Sequence, residues 1–340
     1  MTDSPSYDAL ILVSFGGPER PEDVMPFLEN VVRGRPIPRE RLLGVAEHYQ
    51  HFGGVSPINA QNRALIAALG AELARHGPRL PIYWGNRNWD PLLGDTLAQM
   101  RRDGVRRALG LFTSAYSSYS GCRQYLENLE AARAAVGEGA PEVHKIRVFY
   151  DHPGFIEAMA ERVSDALATI VPERRQSARL VYTAHSIPMA MARSSAYVQQ
   201  IEEARRLVTE RIGRASSELV WQSRSGGPEV PWLEPDVLDH LRALAAQGVR
   251  DVVLAPIGFI SDHMEVVYDL DTEARALAEQ LGIALVRAST VGTHPRFVRM
   301  LRELIEERVS GAPRLAVGRL PMMPDVCAPD CCPGRAARPR

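Results

Sequence analysis

Seven short apolar runs, four to seven residues long, recur at 9–15, 81–84, 108–113, 179–184, 219–222, 251–256 and 284–287. Stretches with helical spacing separate them, and this alternation constrains the fold more than any other feature of the chain. Runs this short, bounded by turn signals, read as buried strands, and strands separated by helices are joined as parallel neighbours through crossovers. The first run ends in Gly16-Gly17-Pro18, a turn signal after a buried strand. Helices are expected over 21–33, with Val24, Phe27, Leu28, Val31 and Val32 on one face, and over 59–76, 92–103 and 123–136. A Ser/Tyr-rich loop covers 114–120. In the second half, helices are expected over 196–211, 235–247, 265–281 and 294–309, and a Gly-Gly-Pro turn at 226–228 follows the run at 219–222. Two α/β halves of similar size, each with about four strands and meeting near residues 145–155, follow from this rhythm. The tail from Gly311 is rich in Pro and Arg yet carries three cysteines, so something is expected to tie it down.

Composition narrows the function classes. Of the 340 residues, 45% are hydrophobic and 24% charged, ordinary values that exclude extensive disorder. With 40 basic against 41 acidic residues, there is no general electrostatic reason to bind nucleic acid. No apolar run approaches the ~20 residues needed to span a bilayer. The N-terminal stretch has no basic region followed by an apolar one, so no secretion signal is expected, and a soluble, cytoplasmic protein is. Every basic residue except Lys145 is arginine, a compositional bias, so arginine clusters carry no weight by themselves.

Three groups of residues can carry chemistry. Glu265, Asp269 and Glu273 are spaced i, i+4, i+8, which makes one acidic stripe on a helix. A solvated surface stripe is one reading. The other is a ligand site, because the stripe follows a strongly apolar strand, where open parallel sheets bind ligands, and because His263 and Glu265 together suit a divalent metal. His185, at the carboxyl end of the run at 179–184, occupies the equivalent position in another strand–helix loop; a structural role and a catalytic one are both open to it. The cysteines form the third group: Cys122, then Cys327, Cys331 and Cys332 in Cys-Ala-Pro-Asp-Cys-Cys. Four thiolates are what a [2Fe–2S] cluster or a structural zinc requires, and unrelated thiols are the remaining possibility. Gly16-Gly17-Pro18 lacks the spacing of a nucleotide-binding loop and reads as a tight turn, while Gly53-Gly54-Val55-Ser56-Pro57 is a second loop whose backbone can approach a flat ligand.

These residues converge on a family. Ser14-Phe15-Gly16-Gly17-Pro18-Glu19, Gly53-Gly54-Val55-Ser56-Pro57, Thr183-Ala184-His185-Ser186-Ile187-Pro188 and Ser261-Asp262-His263-Met264-Glu265 together resemble ferrochelatase, in the family's order and over nearly the whole chain. The resemblance implies an α/β class II chelatase fold of two Rossmann-like domains, each with a four-stranded parallel sheet flanked by helices. The first domain, with the porphyrin-binding lip, is expected over 1–150 and the second, with the metal-site residues, over 151–292. Residues 293–340 would supply a C-terminal helix packing back on the first domain and the cysteine-bearing tail. The implied reaction is insertion of Fe²⁺, a substrate, into a porphyrin held in the cleft, with release of two pyrrole protons.

Residue by residue, the resemblance makes His185 the metal-binding, proton-accepting histidine and Glu265 its partner carboxylate, with Asp269 and Glu273 on an iron entry path. Ser56 and Tyr125 match positions that contact the porphyrin, with Phe15 beside them, and His48 and Tyr49 lie near its propionates. Arg33 and Arg35 are propionate contacts on charge grounds. Some bacterial members carry tyrosine where Phe15 stands, so axial ligation of product iron is in question here. The cysteines resemble those of the cluster-bearing subgroup from high-GC Gram-positive bacteria, which implies a [2Fe–2S] cofactor on Cys122, Cys327, Cys331 and Cys332. That subgroup acts on coproporphyrin III; protoporphyrin IX is the alternative substrate. The lip, Val31-Val32-Arg33-Gly34-Arg35-Pro36, has a short apolar patch followed by arginines, which suits a carboxylate-rich ligand without membrane insertion; burial of that patch on a helix face is the competing reading. A haem carrier on the same fold would have no use for Glu265, Asp269 and Glu273, and the Ser-Asp-His-x-Glu motif favours iron over cobalt or nickel. The partners expected are the porphyrin, Fe²⁺ and, transiently, neighbouring haem-pathway enzymes, with a monomer as the default state.

Overall fold

The computed structural model describes residues 6–227 and 229–334. Pro228 of the expected Gly-Gly-Pro turn and the first five residues of the N-terminal stretch lie outside the described residues. Among the described residues, eight strands form two four-stranded parallel sheets: β1 (Ala9–Ser14), β2 (Ile82–Asn86), β3 (Arg107–Phe112) and β4 (Glu142–Lys145), then β5 (Arg179–His185), β6 (Glu218–Gln222), β7 (Asp251–Ala255) and β8 (Ala284–Arg287). Both sheets have the same order, β2-β1-β3-β4 and β6-β5-β7-β8. The central strands are buried along their length, β1 as Ala-Leu-Ile-Leu-Val-Ser and β7 as Asp-Val-Val-Leu-Ala, because helices cover both faces of a parallel sheet.

The chain divides into two compact units. One takes in residues up to Thr113 with Gln124–Arg147 and Leu301–Arg314; the other holds Ser114–Arg123, Val148–Met300 and the chain from Leu315. In the first, α1 (Val24–Val31), α2 (Arg39–His51), α3 (Ile58–His76), α4 (Leu93–Arg102) and α5 (Gln124–Val136) accompany the sheet, and Leu93, Leu97, Met100 and Leu129 pack with Ile11 and Val13 in one core. The last helix, Pro295–Val309, joins this unit from Leu301 onward. There Arg302 Nε bonds to Glu72 Oε1 at 2.9 Å, Arg308 Nη2 donates to the Tyr7 hydroxyl at 2.9 Å, and Arg147 makes a buried bidentate pair with Glu307 at 2.8 and 2.9 Å. In the second unit, α6 (Pro153–Ala168) and the helices Tyr197–Arg211 and Val237–Ala246 flank the sheet, and Val181, Val220, Leu241, Leu254, Val266 and Leu270 share its core.

The structure departs from the sequence reading in a few elements. β4, α2 and α6 had no counterpart in the apolar pattern. The expected helix over 265–281 is three pieces: Met264–Val267, a π-helical turn Asp269–Ala274, and Arg275–Gln280. The amides of Thr272 and Glu273 both bond to the Tyr268 carbonyl, at 3.2 and 3.0 Å, which widens the turn by one residue. The stripe of Glu265, Asp269 and Glu273 therefore runs through a π-helical turn, where the charges of Glu265 and Glu273 both act on Asp269. A second π-helical turn, Tyr119–Arg123, carries the buried Cys122.

Candidate active site

His185 is the last residue of β5, registered against Gln222 at the end of β6. Its neighbour β7 ends at Ala255, and the chain then turns back over the end of β5, where the Gly258 amide donates to Thr183 O at 3.0 Å. A Cβ at Gly258 would lie 2.6 Å from the Ala184 Cβ, so only glycine allows this approach. The loop delivers His263 in extended conformation and Glu265 in the first turn after it.

The two expected partners meet. His185 Nε2 lies 3.3 Å from Glu265 Oε1, and His263 Nδ1 lies 3.8 Å from Glu265 Oε2. His185 Nδ1 faces the Ser186 carbonyl, so both ring nitrogens face acceptors, an arrangement that favours the doubly protonated ring. Burial works against that charge, but the Glu265 carboxylate outweighs it and raises His185 to about 9. Partial desolvation likewise opposes the charge of Glu265, whose side chain is half exposed, yet His185 holds it down to about 2. His263 is pushed down, by burial first, and stays a neutral imidazole. Asp269 accepts a hydrogen bond from the Ser223 hydroxyl; burial, aided by the charges of Glu265 and Glu273, pushes it up to about 7. Burial and Asp236 raise Glu273. Along this segment one carboxylate is ionised, one titrates near neutrality and one is raised.

The first-unit residues form a separate, largely aromatic group. Phe15 packs edge-on against Phe27 at 6.1 Å, and Phe27 against Tyr49 at 5.8 Å. The Arg87 guanidinium lies 4.5 Å from the centre of the Tyr125 ring and 5.7 Å from that of Phe15, held by Asn128 Oδ1 at 2.6 Å. Phe15, Tyr49 and Tyr125 are thus linked through Phe27 and Arg87. Ser56 is buried with its amide bonded to Pro18 O at 2.9 Å, beside Gly17. His48 is pushed down by burial, and Arg33 reaches Asn30 from an exposed position. Val31 and Val32 are half-buried, so the lip patch is only partly covered.

All four cysteines belong to the second unit, and none is in a disulfide. Cys331 and Cys332 bring their sulfurs to 3.5 Å, which adjacent residues achieve here because Cys332 adopts φ +51°. Two thiolates on one tetrahedral metal with bonds of about 2.3 Å stand roughly 3.8 Å apart, a little more than the separation of this pair. The Arg123 guanidinium, next to Cys122, donates to Pro329 O at 2.7 Å, and Gly334 lies so near Tyr119 that a methyl there would sit 2.7 Å from the ring. The tail therefore reaches the turn that carries Cys122. Among the described residues no group of three or more His, Cys, Asp or Glu side chains is placed to hold a metal ion, the four cysteines included.

Sequence reasoning missed Arg87, Gln222 and Ser223. A single arginine in an arginine-rich chain gives no signal, and a Gln-Ser pair after a strand has no spacing to mark it.

The ferrochelatase family model matches residues 7–309. A ferrochelatase of Rhodopirellula baltica is 54% identical across 100% of this chain and 97% of its own length. Coproporphyrin III ferrochelatases of Mycolicibacterium smegmatis and Nocardia farcinica are 56% and 53% identical, covering 91% and 98% of this chain and 92% and 100% of theirs. Among solved structures, the sirohydrochlorin chelatase SirB of Bacillus subtilis in complex with cobalt superposes with a TM-score of 0.51 at 12% identity, over 89% of this chain and 95% of that one. That likeness concerns the fold, and it agrees with the two parallel sheets. Matched over nearly all its length by the family model and by close relatives, the chain belongs to the ferrochelatase family.

Proposed function

We propose that the protein inserts Fe²⁺ into coproporphyrin III in haem biosynthesis, with His185 and Glu265 as the central pair. The observation that carries this reading is the 3.3 Å approach of His185 to Glu265 at the ends of parallel strands. Support for the substrate comes from relatives named coproporphyrin III ferrochelatases at more than half identity. The same reading has the enzyme acting as a monomer in the cytoplasm, with product passed on by transient contact to neighbouring haem-pathway enzymes.

Metallation must strip water from Fe²⁺ and remove two N–H protons, so it needs ligands and bases together. In the metal-free pair the proton rests on His185. A dication beside Glu265 opposes that charge, so iron and proton compete for the same side chains. Once neutral, the His185 imidazole accepts one pyrrole proton. Asp269, which titrates near 7, and Glu273 carry iron inward and protons outward. Ser56, Tyr125, Phe15, His48, Tyr49 and Arg33 contact the porphyrin, and Phe15 offers no axial ligand. Cys122, Cys327, Cys331 and Cys332 would hold a [2Fe–2S] cluster, which would supply a cross-link between the tail and the turn carrying Cys122.

The test is an anaerobic titration with Fe²⁺ and coproporphyrin III beside protoporphyrin IX, read as collapse of the free-base visible bands into a metalloporphyrin spectrum. Faster turnover of coproporphyrin III supports the reading. Preference for protoporphyrin IX overturns the substrate, and tight binding of both without metallation overturns the enzyme in favour of a carrier.

A further inference from the structure

Gln222 and Ser223, at the end of β6, touch every part of the His185–Glu265–Asp269 segment without belonging to the group assigned above. The Gln222 side chain is buried, 1% exposed. Its backbone carbonyl accepts from the Ser186 amide at 2.8 Å, one residue beyond His185. Its carboxamide Nε2 donates to the backbone carbonyl of Glu265. One residue therefore ties the strand end bearing His185 to the turn bearing Glu265. The amide orientation is fixed by this contact, because the flipped form would set oxygen against oxygen. Its Oε1 is buried and meets no hydrogen-bond donor among the described residues, a cost that packing alone does not explain. Ser223 follows at φ +61°, a left-handed conformation that serine rarely adopts, and from there its hydroxyl donates to the Asp269 carboxylate. Strain of this kind persists where the surrounding structure imposes it, and it collects at functional sites. The widened turn at Asp269–Ala274 is thus gripped on its approach by Gln222 and at its first residue by Ser223.

We propose that Gln222 and Ser223 are positioning residues of the metallation site: Gln222 sets Glu265 against His185, and Ser223 aims the Asp269 carboxylate for iron delivery. This inference rests on the ferrochelatase reading given above. The two residues act on different steps. Displacing Glu265 alters the group that engages iron at the macrocycle, whereas releasing Asp269 alters only how iron arrives.

The experiment compares Gln222→Met and Ser223→Ala with the wild-type protein in steady-state metallation, varying Fe²⁺ and porphyrin separately, alongside thermal melting. Ser223→Ala is expected to raise KM for Fe²⁺ about tenfold, the loss of one hydrogen bond to a carboxylate, with kcat and the porphyrin KM within twofold of wild type. Gln222→Met is expected to lower kcat tenfold or more, about the cost of a sub-ångström misplacement, with porphyrin affinity unchanged. Ser223→Gly relieves the left-handed strain and also lacks the hydroxyl, so it should reproduce the Fe²⁺ effect of Ser223→Ala while melting no lower than wild type. Since Gln222→Met empties a buried polar position, Co²⁺ titration of the porphyrin-free Ser223 variants gives a readout independent of turnover and of that variant's folding. An unchanged Fe²⁺ KM and unchanged Co²⁺ affinity in both Ser223 variants, with active wild-type protein, overturn the clamp. Wild-type protein without metallation overturns the underlying reading instead.

Discussion

In the first unit, the start of the loop after the central strand β1 is held by neutral amides, and the Glu19–Arg63 and Arg20–Asp23 ion pairs come only further along it. Asn62 Nδ2 donates to Ser14 Oγ at 2.9 Å, Asn59 Nδ2 to Gly17 O at 3.2 Å and Asn88 Nδ2 to Phe15 O at 3.1 Å. In the second unit, the loops after the corresponding central strand β5 and its neighbour β7 carry His185, Glu265 and Asp269, all with displaced proton affinities. Strand order is the same in both. Neutral amides satisfy a strand end's backbone groups whatever the pH, so the first unit gains a fixed shape. Charged groups must be paired at the same position, and their pairing leaves them reactive toward a dication. A shared topology thus supplies equivalent loop positions, and the side chains decide whether a loop holds form or charge.

The largest effect expected from this contrast lies in the second unit. His185→Ala and Glu265→Gln should each cut metallation by about 10³-fold, within the range of acid–base and ligand losses, while porphyrin binding measured by fluorescence quenching stays near normal. Turnover near wild type in either variant would remove the pair from the mechanism.

Next comes a pH dependence confined to the charged loops. Because His185 is protonated below about 9, metal must displace a proton from it. Co²⁺ affinity of the porphyrin-free protein should therefore rise with pH, by up to about tenfold per unit per proton displaced, and level off above pH 9. Asp269→Asn should flatten the part of the curve near pH 7. A curve indifferent to pH between 6 and 9 contradicts the pairing.

The first unit should break differently. A Cβ at Gly17 would lie 2.7 Å from the Ser56 Cβ and 2.8 Å from the Ile58 Cγ2. Gly17→Ala should cost about 1–3 kcal/mol of stability through overpacking, seen in denaturant titration, and leave Co²⁺ affinity unchanged. A variant that is stable but loses Co²⁺ would blur the division between form and charge.

The smallest effect has the opposite sign. Asp269 has a folded pKa near 7, above its unfolded value, so its ionisation opposes folding progressively from about pH 4 and fully above 7. Asp269→Asn should stabilise the protein by about 1 kcal/mol at pH 8 and leave it unchanged at pH 3, measured by thermal or denaturant melts. Equal stability at both pH values would show that the carboxylate is not held against its preference.

What the sequence disclosed follows from what leaves a pattern. β1, β5 and β7 were legible as continuous apolar runs, and His185 and Glu265 as polar residues placed just beyond them. β4, Glu-Val-His-Lys, is an edge strand with one aliphatic residue, and it leaves no run. In α2 only Leu42, Ala46 and Tyr49 are buried, too few to mark a helical face. The break in 265–281 was hidden because Leu270, Ala274 and Ala278 keep regular spacing through it. The gathering of Phe15, Tyr49 and Tyr125 around Phe27 and Arg87 joins residues far apart in the chain, and Gln222 works through backbone carbonyls, which no residue pattern records.

The most direct test of the central pair is X-ray absorption at the cobalt edge on porphyrin-free protein loaded with one equivalent of Co²⁺, with His185→Ala measured beside wild type. The expected result is imidazole scattering together with a carboxylate oxygen shell in the wild type, and loss of an imidazole in the variant. Identical imidazole scattering in both proteins would contradict His185 as a metal ligand and, with it, the division of roles between the two units.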